Sequence, residues 1–258
     1  MAWYNEESPE TLNFVVVGND YAGHSLLQAS LAAHPDMACH GDLFNPAEKV
    51  RREEHEAYFG NSGKVPDWYQ PHTISIEQYL NNKIFDNTLF DERAVGVRLN
   101  YSLFVKGDIW DYVDQKCRGG DFCLLHVTRN PVACFVEYMA SSDNDDIVFM
   151  GKDRKFGSMM LDPRKLTNFV REHLANELKV NRLCNDRAII PYSELILDNR
   201  KTLNKVFKFL EVPFSPACVP NTKRFSMQDT RNRIGNLRQL ESELPGDVLD
   251  YLQTPNLF

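Results

Sequence analysis

Short β-branched apolar runs alternate along this chain with longer amphipathic stretches. Residues 13–18 (NFVVVG) are an apolar run ending in glycine, the pattern of a buried parallel strand. Residues 24–33 follow with Leu26, Leu27, Ser30 and Leu31 at helical spacing. His34-Pro35 stops that helix, because a residue before proline is steered out of the α region. Residues 37–40 have the length of a second short strand, and 94–99 (AVGVRL) and 122–128 (FCLLHVT) read as further buried strands. A helix is predicted over 108–117, and another from Pro131 to about Ala140, with the acidic stretch 141–146 as loop. Asp162-Pro163 supplies an N-cap and a first-turn proline for a long helix. Its predicted buried stripe is Leu166, Phe169, Val170, His173, Leu174 and Leu178. Residues 187–192 (RAIIPY) give another strand, and 202–210 a helix with Leu203, Val206, Phe207 and Leu210 on one face.

Strands alternating with helices predict an α/β fold of three layers, α/β/α, around a central parallel sheet. Ligands in such folds bind outside the carboxyl ends of the strands. Two segments leave strands toward that edge carrying polar residues: 18–25, and Thr128 to Pro131. The functional reading requires those two strand ends to lie side by side, with the gap between them not plugged by protein side chains, so that a pair of anionic groups can bridge them. Between 45 and 91 the pattern weakens. Gly63, Pro66 and Pro71 interrupt it, and Tyr58, Phe59, Trp68, Tyr69 and Tyr79 punctuate it. Two readings stay open there: a substrate-side insertion or cap, or an excursion that packs its aromatics on the core. With no linker composition and no fixed-period repeat, residues 1–258 read as a single domain.

A chain of 258 residues, 43% hydrophobic and 25% charged, can bury a large core without staples. The net charge of -7 argues against a general nucleic-acid or membrane-surface binder, but a phosphate-bearing small ligand needs only a local cluster of donors. The start of the sequence has neither the basic residues nor the apolar core of a signal peptide, and no apolar stretch approaches spanning length. The six cysteines show no CxxC pair or zinc-finger spacing, so no metal is expected, and thiols in a reducing cytoplasm are the expectation. Cys39 and Cys134 lie in apolar stretches and read as small buried hydrophobes.

The loop Gly18-Asn19-Asp20-Tyr21-Ala22-Gly23-His24-Ser25 can wrap an anion with backbone N–H groups, aided by the dipole of the helix that follows. His24 stands where a GxxxxGK[ST] loop demands Lys. Together with its flanks, FVVVGNDYAGHSLLQASLAAHPDMACHGDLFNP, the loop resembles the 5′-phosphosulfate segment of the sulfotransferase family, in particular the bacterial carbohydrate-type branch. LLHVTRNPVACFVEYMAS resembles the family's 3′-phosphate segment, with Arg129-Asn130-Pro131 in place. Gly96-Val97-Arg98-Leu99 is similar to its Gly-x-Lys strand, and Pro191-Tyr192-Ser193-Glu194-Leu195 to its Tyr-Glu-Asp-Leu motif.

The resemblance implies a P-loop-type α/β/α fold and a 3′-phosphoadenosine 5′-phosphosulfate donor, with no metal. It implies donor contacts at Asn19, Tyr21, Ala22, Gly23, His24, Ser25, Arg129, Glu137, Tyr192, Lys223 and Arg224, with the Arg231 to Arg238 stretch supplying further late cations. It also places Asp42 as the first candidate general base, with His40 second, while an acidic residue after glycine equally fits a cap on the next segment. Four departures stand out. Asp20 replaces a proline. Tyr21 replaces a basic residue. His24 replaces a threonine, and is either a proton donor at the bridging oxygen or a helix-start residue facing solvent. Glu137 replaces a serine eight residues after Arg129, where a carboxylate repels a phosphate unless it turns away or is bridged by Lys or Arg. The implied function is sulfuryl transfer to a hydroxyl acceptor, carbohydrate included. The alternatives are a catalytically impaired nucleotide-binding protein on the same fold, or a P-loop small-molecule kinase.

Overall fold

Phe14, Val15, Val16 and Val17 are all shielded from solvent, which places their strand, β1 (Leu12–Gly18), at the middle of a sheet. A computed structural model describes residues 11–41, 76–86, 91–101, 108–142, 159–183, 187–219 and 230–255. The other strands are β2 (Met37–His40), β3 (Ala94–Asn100), β4 (Phe122–Thr128) and β5 (Arg187–Pro191). They form one parallel sheet in the order β2-β3-β1-β4-β5. The helices are α1 (His24–Ala32), α2 (Ile76–Tyr79, continued by a π turn, Leu80–Ile84), α3 (Asp108–Gly119), α4 (Pro131–Ser142), α5 (Pro163–Val180), α6 (Tyr192–Leu197), α7 (Asn199–Phe209), α8 (Leu237–Glu243) and α9 (Gly246–Gln253).

Alternation along β1 builds the layers, since successive side chains of a strand point to opposite faces. Val15 and Val17 join Val97, Leu99 and Leu124 under Ile109, Tyr112 and Val113 of α3. Phe14 and Val16 join Leu27 and Leu31 of α1 and Leu203, Val206 and Phe207 of α7 on the other face. Phe14 pairs with Gly96 in register, and a Cβ on Gly96 would come within 2.2 Å of the Phe14 ring, so only glycine lets that ring lie over β3. A third cluster joins Val132, Val136, Leu166 and Val170 of α4 and α5 to Leu240, Val248 and Leu252 of α8 and α9. Cys39 and Cys134 are buried, as their surroundings in sequence predict.

Boundaries move for identifiable reasons. Asp162 caps α5 as expected, accepting from the N–H groups of Arg164 and Lys165. Asp198 accepts from Lys201 N–H and starts α7 three residues earlier than the apolar spacing indicates. β5 ends at Pro191, and Tyr192 opens α6 instead of closing the strand. Leu178 is a correction: it is 57% exposed. At about 100° per residue it lies nearly opposite Val180, which is the residue α5 buries there. In the weakly patterned region, Tyr79 packs into the core with Leu80 and Ile84, while Tyr58, Phe59, Trp68 and Tyr69 lie outside the described residues. Among the described residues no helix is long and apolar enough to cross a membrane.

Candidate functional site

The connection leaving β1 runs toward β2 at one edge of the sheet, and the connection leaving β4 runs toward β5 at the other. A crevice opens where neighbouring strands send their chains in opposite directions, and here that point lies between the carboxyl ends of β1 and β4. Gly18 pairs with Val127, so the loop after Gly18 and the side chain of Arg129 leave the sheet side by side. The required adjacency is present, but the Arg129 side chain, bonded to Tyr21 O, and the Tyr192 ring, packed on Gly23, occupy part of the gap between the two loops.

The first loop turns through a bond from Ala22 N–H to Asn19 O (3.0 Å) and two left-handed residues, Tyr21 (φ 64) and Gly23 (φ 92). α1 then begins at His24. The N–H groups of a helix's first turn have no intrahelical acceptor, and the positive end of the helix dipole lies there. Ser25 accepts a hydrogen bond from Arg98 Nη1, which brings a guanidinium from β3 to the same helix start.

Side chains from three elements, β3, α4 and α5, hold this loop. Asn19 Oδ1 accepts from Asp20 N–H (3.0 Å), so its Nδ2 donates to His173 Nδ1 of α5 (2.5 Å). Asn100, the last residue of β3, donates through Nδ2 to Asp20 (2.8 Å) and accepts through Oδ1 from His24 Nε2 (2.5 Å). The Tyr21 phenol donates to Ser141 Oγ (2.6 Å), whose own hydrogen goes to Tyr138 O (2.8 Å). Tyr21 therefore reaches to α4 and brings no charge to the loop.

His24 does not face solvent; it is 4% exposed, which removes that alternative. Burial first, and the Arg98 charge second, lower its pKa to about 3, against a smaller upward pull from Asn100. It is a neutral ring with its proton on Nε2. Its Nδ1 is a buried acceptor that finds no hydrogen-bond partner among the described residues. In this state His24 offers a lone pair; protonation, which burial opposes, is needed before it can donate from Nδ1.

The Arg-Asn-Pro tripeptide has one job per residue. Asn130 Oδ1 caps α4 by accepting from Val132 N–H (2.9 Å), and Pro131 takes the first helical position, where a missing N–H costs nothing. Asn130 Nδ2 donates to Tyr251 O of α9 (2.9 Å). Arg129, with a side chain only 9% exposed, donates through Nη1 to Tyr21 O (2.7 Å) and lies over the Tyr192 ring at 4.2 Å. Tyr192 in turn lies against Gly23, where a Cβ would stand 2.2 Å from the ring. Arg129, Tyr192, Gly23 and Tyr21 are thus one packed unit joining the two loops. Glu137 is bridged: Arg233 Nη1 donates to its Oε1 at 2.8 Å, and Arg129 Nη2 lies 3.6 Å from the same oxygen.

A cleft of ≈340 Å³ opens beside this unit, lined by Thr128, Arg129, Glu177, Tyr192, Tyr251 and Thr254 among others. Loop residues 19–25 are not on its wall. Burial raises the pKa of Glu177, and its Oε2 lies 3.7 Å from His173 Nε2, whose other nitrogen accepts from Asn19.

Of the residues singled out in sequence, Asn19, Tyr21, Gly23, His24, Ser25, Arg129, Glu137 and Tyr192 gather here, and Ala22 is buried in the loop at 1% exposure. His40 lies on β2, two strands from β1, with its Nε2 shielded and its pKa lowered to about 4 by burial. Asp42, Lys223 and Arg224 lie outside the described residues. Sequence reasoning missed Asn100 and Glu177, and treated His173 as core. The available signals were a polar residue ending an otherwise apolar strand, and a Glu one turn after a His on the same helix face. Among the described residues no three His, Cys, Asp or Glu side chains gather as metal ligands.

No protein-family model matches the chain, and no curated protein matches it. The solved structures similar to it include sulfotransferases. A sulfotransferase from Alicyclobacillus acidocaldarius is 21% identical over 93% of this chain and 95% of its own, with a TM-score of 0.45. The sulfotransferase domain from the curacin biosynthetic pathway is 14% identical over 95% and 92%, with a TM-score of 0.47. Mouse sulfotransferase SULT7A1, complexed with PAP, is 14% identical over 92% and 68%, with a TM-score of 0.39. At these identities and scores the likeness is one of architecture and carries no functional assignment.

Proposed function

We propose that the protein is a sulfotransferase, carrying a sulfuryl group from a 3′-phosphoadenosine 5′-phosphosulfate-type donor to a hydroxyl of a small acceptor, with carbohydrates the first class to test. The observation that supports this most is the joining of the two strand-end loops, β1 next to β4, with Arg129 donating to Tyr21 O at 2.7 Å. A donor with anionic groups at both ends of its ribose needs two anion seats on neighbouring strand ends. The first turn of α1 supplies N–H donors, and Arg129 supplies a guanidinium suited to bidentate phosphate contact.

In the transfer, the bond from sulfur to the donor's bridging oxygen breaks as a bond to the acceptor oxygen forms. The acceptor proton passes to a base, and the adenosine bisphosphate leaves. The protein's share is positioning and offsetting charge, by analogy with phosphoryl transfer. The α1 N–H groups and Arg98, through Ser25, are the proposed charge-offsetting groups. Asp42 is the proposed base, with His40 the second candidate. A second reading, a nucleotide-binding protein without turnover, is favoured by the neutral His24 ring and by the Tyr21 phenol bound to Ser141, since neither brings a cation to the bridging oxygen.

Incubation with labelled donor and an acceptor panel tests the first reading through a sulfated product; nucleotide binding without product supports the second. In calorimetry, adenosine 3′,5′-bisphosphate is expected to bind in preference to ATP-Mg²⁺, and the reverse preference would favour a kinase. Arg129→Ala is expected to weaken bisphosphate binding by about 1.5–3 kcal/mol, the scale of a charged hydrogen bond. Unchanged affinity in that variant puts the phosphate elsewhere.

A further inference from the structure

Two guanidinium groups that are nearly out of solvent converge on one carboxylate oxygen beside the cleft. Arg129 and Arg233 have side chains 9% and 12% exposed, whereas Glu137, which they share, is 32% exposed. The arginines arrive from separate, anchored pieces of chain. Arg129 is fixed by the Tyr21 carbonyl and the Tyr192 ring. Arg233 ends the 3-10 turn Thr230–Arg233, whose carbonyl accepts from Met159 N–H at 2.8 Å. Glu137 projects from the surface of α4 and is the most exposed of the three, so it is the member able to swing out while the arginines stay. This is the geometry of an oxyanion seat built from arginines, occupied by the chain's own anion.

We infer that Glu137 is a resident anion in an Arg129–Arg233 seat, and that it determines how strongly this chain discriminates against a phosphate group there. The inference rests on the nucleotide reading above and adds to it a residue that sets donor selectivity. A phosphate entering the seat must displace the carboxylate or stand beside it, and either costs affinity. A nucleotide without that phosphate leaves the seat undisturbed and is indifferent to the charge at position 137.

Titration of the full chain with adenosine 3′,5′-bisphosphate and with adenosine 5′-monophosphate, at one fixed ionic strength, separates these cases. Glu137→Gln keeps an acceptor oxygen for Arg233 and removes the charge. It is expected to raise affinity for the bisphosphate by about tenfold and to change monophosphate affinity by no more than about twofold, the difference one charged contact makes. Glu137→Ser, which also removes the carboxylate volume, should act in the same direction and stands in if the Gln variant does not fold. If both nucleotides bind and their affinity ratio is unchanged in the variants, Glu137 is a structural prop and the inference falls while the nucleotide reading survives. Absence of binding by both nucleotides, in wild type and variants alike, removes both.

Discussion

Acidification from pH 7 to 5.5 is expected to cost the folded state roughly 3–4 kcal/mol, through three buried histidines that fold as neutral rings. His24, His126 and His173 are 4%, 0% and 2% exposed, and their pKa values are lowered to about 3, about 4 and about 4. Burial is the largest cause in each, as it is for His40, whose pKa is lowered to about 4 and which adds to the loss from these three. Their hydrogen bonds also fit the neutral form. His126 donates from Nδ1 to Asn181 Oδ1 (3.2 Å) and accepts at Nε2 from the Tyr101 hydroxyl (2.5 Å), while His173 accepts at Nδ1 from Asn19. The sign follows from where the protons go. Above pH 6.5 neither state is protonated, and the full stability is present. As pH falls from 6.5 toward 4 the unfolded chain takes up protons that the folded chain refuses, so stability drops. Near pH 5.5 each ring contributes a loss of about 1.4 kcal/mol. Glu177 acts in the opposite direction, because its raised pKa lets the folded state bind a proton first, and it offsets part of the loss. The total is a large fraction of the stability of an ordinary domain, about 5–15 kcal/mol. Urea midpoints at pH 7, 6 and 5.5 measure it. A stability that stays flat over that interval would mean that these rings are solvated or already charged in the native state.

How much of this was legible in sequence depends on distance along the chain. The strands were readable because β-branched runs such as FVVV and CLLHV are bounded by glycine or by polar loops. The Arg-Asn-Pro segment was readable because cap, first-turn proline and cation are neighbours in sequence. The surroundings of His24 were not. A histidine opening a helix looks the same in sequence whether it meets solvent or the end of a strand 76 residues away, and Asn100 decides which. Glu137 is a similar case. Read alone it is a charge that repels phosphate, whereas its bridging cation, Arg233, comes 96 residues later from a turn that no periodicity marks. Leu178 failed for a local reason: the predicted stripe ended on it, whereas Val180, nearly opposite on α5 and outside that stripe, is the residue packing buries. The role expected of Gly23 changed as well. Close approach was expected toward a ligand, and the group found there is Tyr192.

Gly23→Ala is accordingly expected to destabilise the protein by about 3 kcal/mol, with two causes that can be separated. The first is conformational: at φ 92 a Cβ costs about 1 kcal/mol, whatever surrounds it. The second is steric. The new methyl would sit 2.2 Å from Tyr192 Cδ2 and 2.5 Å from Cε2, positions that ring carbons cannot share, so the ring must move. It cannot move alone, because Arg129 is stacked on it at 4.2 Å and holds the Tyr21 carbonyl. The substitution therefore reaches the proposed donor seat as well as the fold, and bisphosphate affinity should fall along with stability. A double-mutant cycle with Tyr192→Ala isolates the steric part: with the ring gone, Gly23→Ala should cost only its conformational share, leaving a coupling of about 2 kcal/mol between the two positions. Chemical denaturation of the four proteins supplies the numbers. If Gly23→Ala alone lies within about 0.5 kcal/mol of wild type, a range typical of surface substitutions, the Tyr192 ring does not pack on this glycine. The link from the β1 loop to Arg129 through Tyr192 is then lost, and the hydrogen bond from Arg129 to Tyr21 O remains as the direct one.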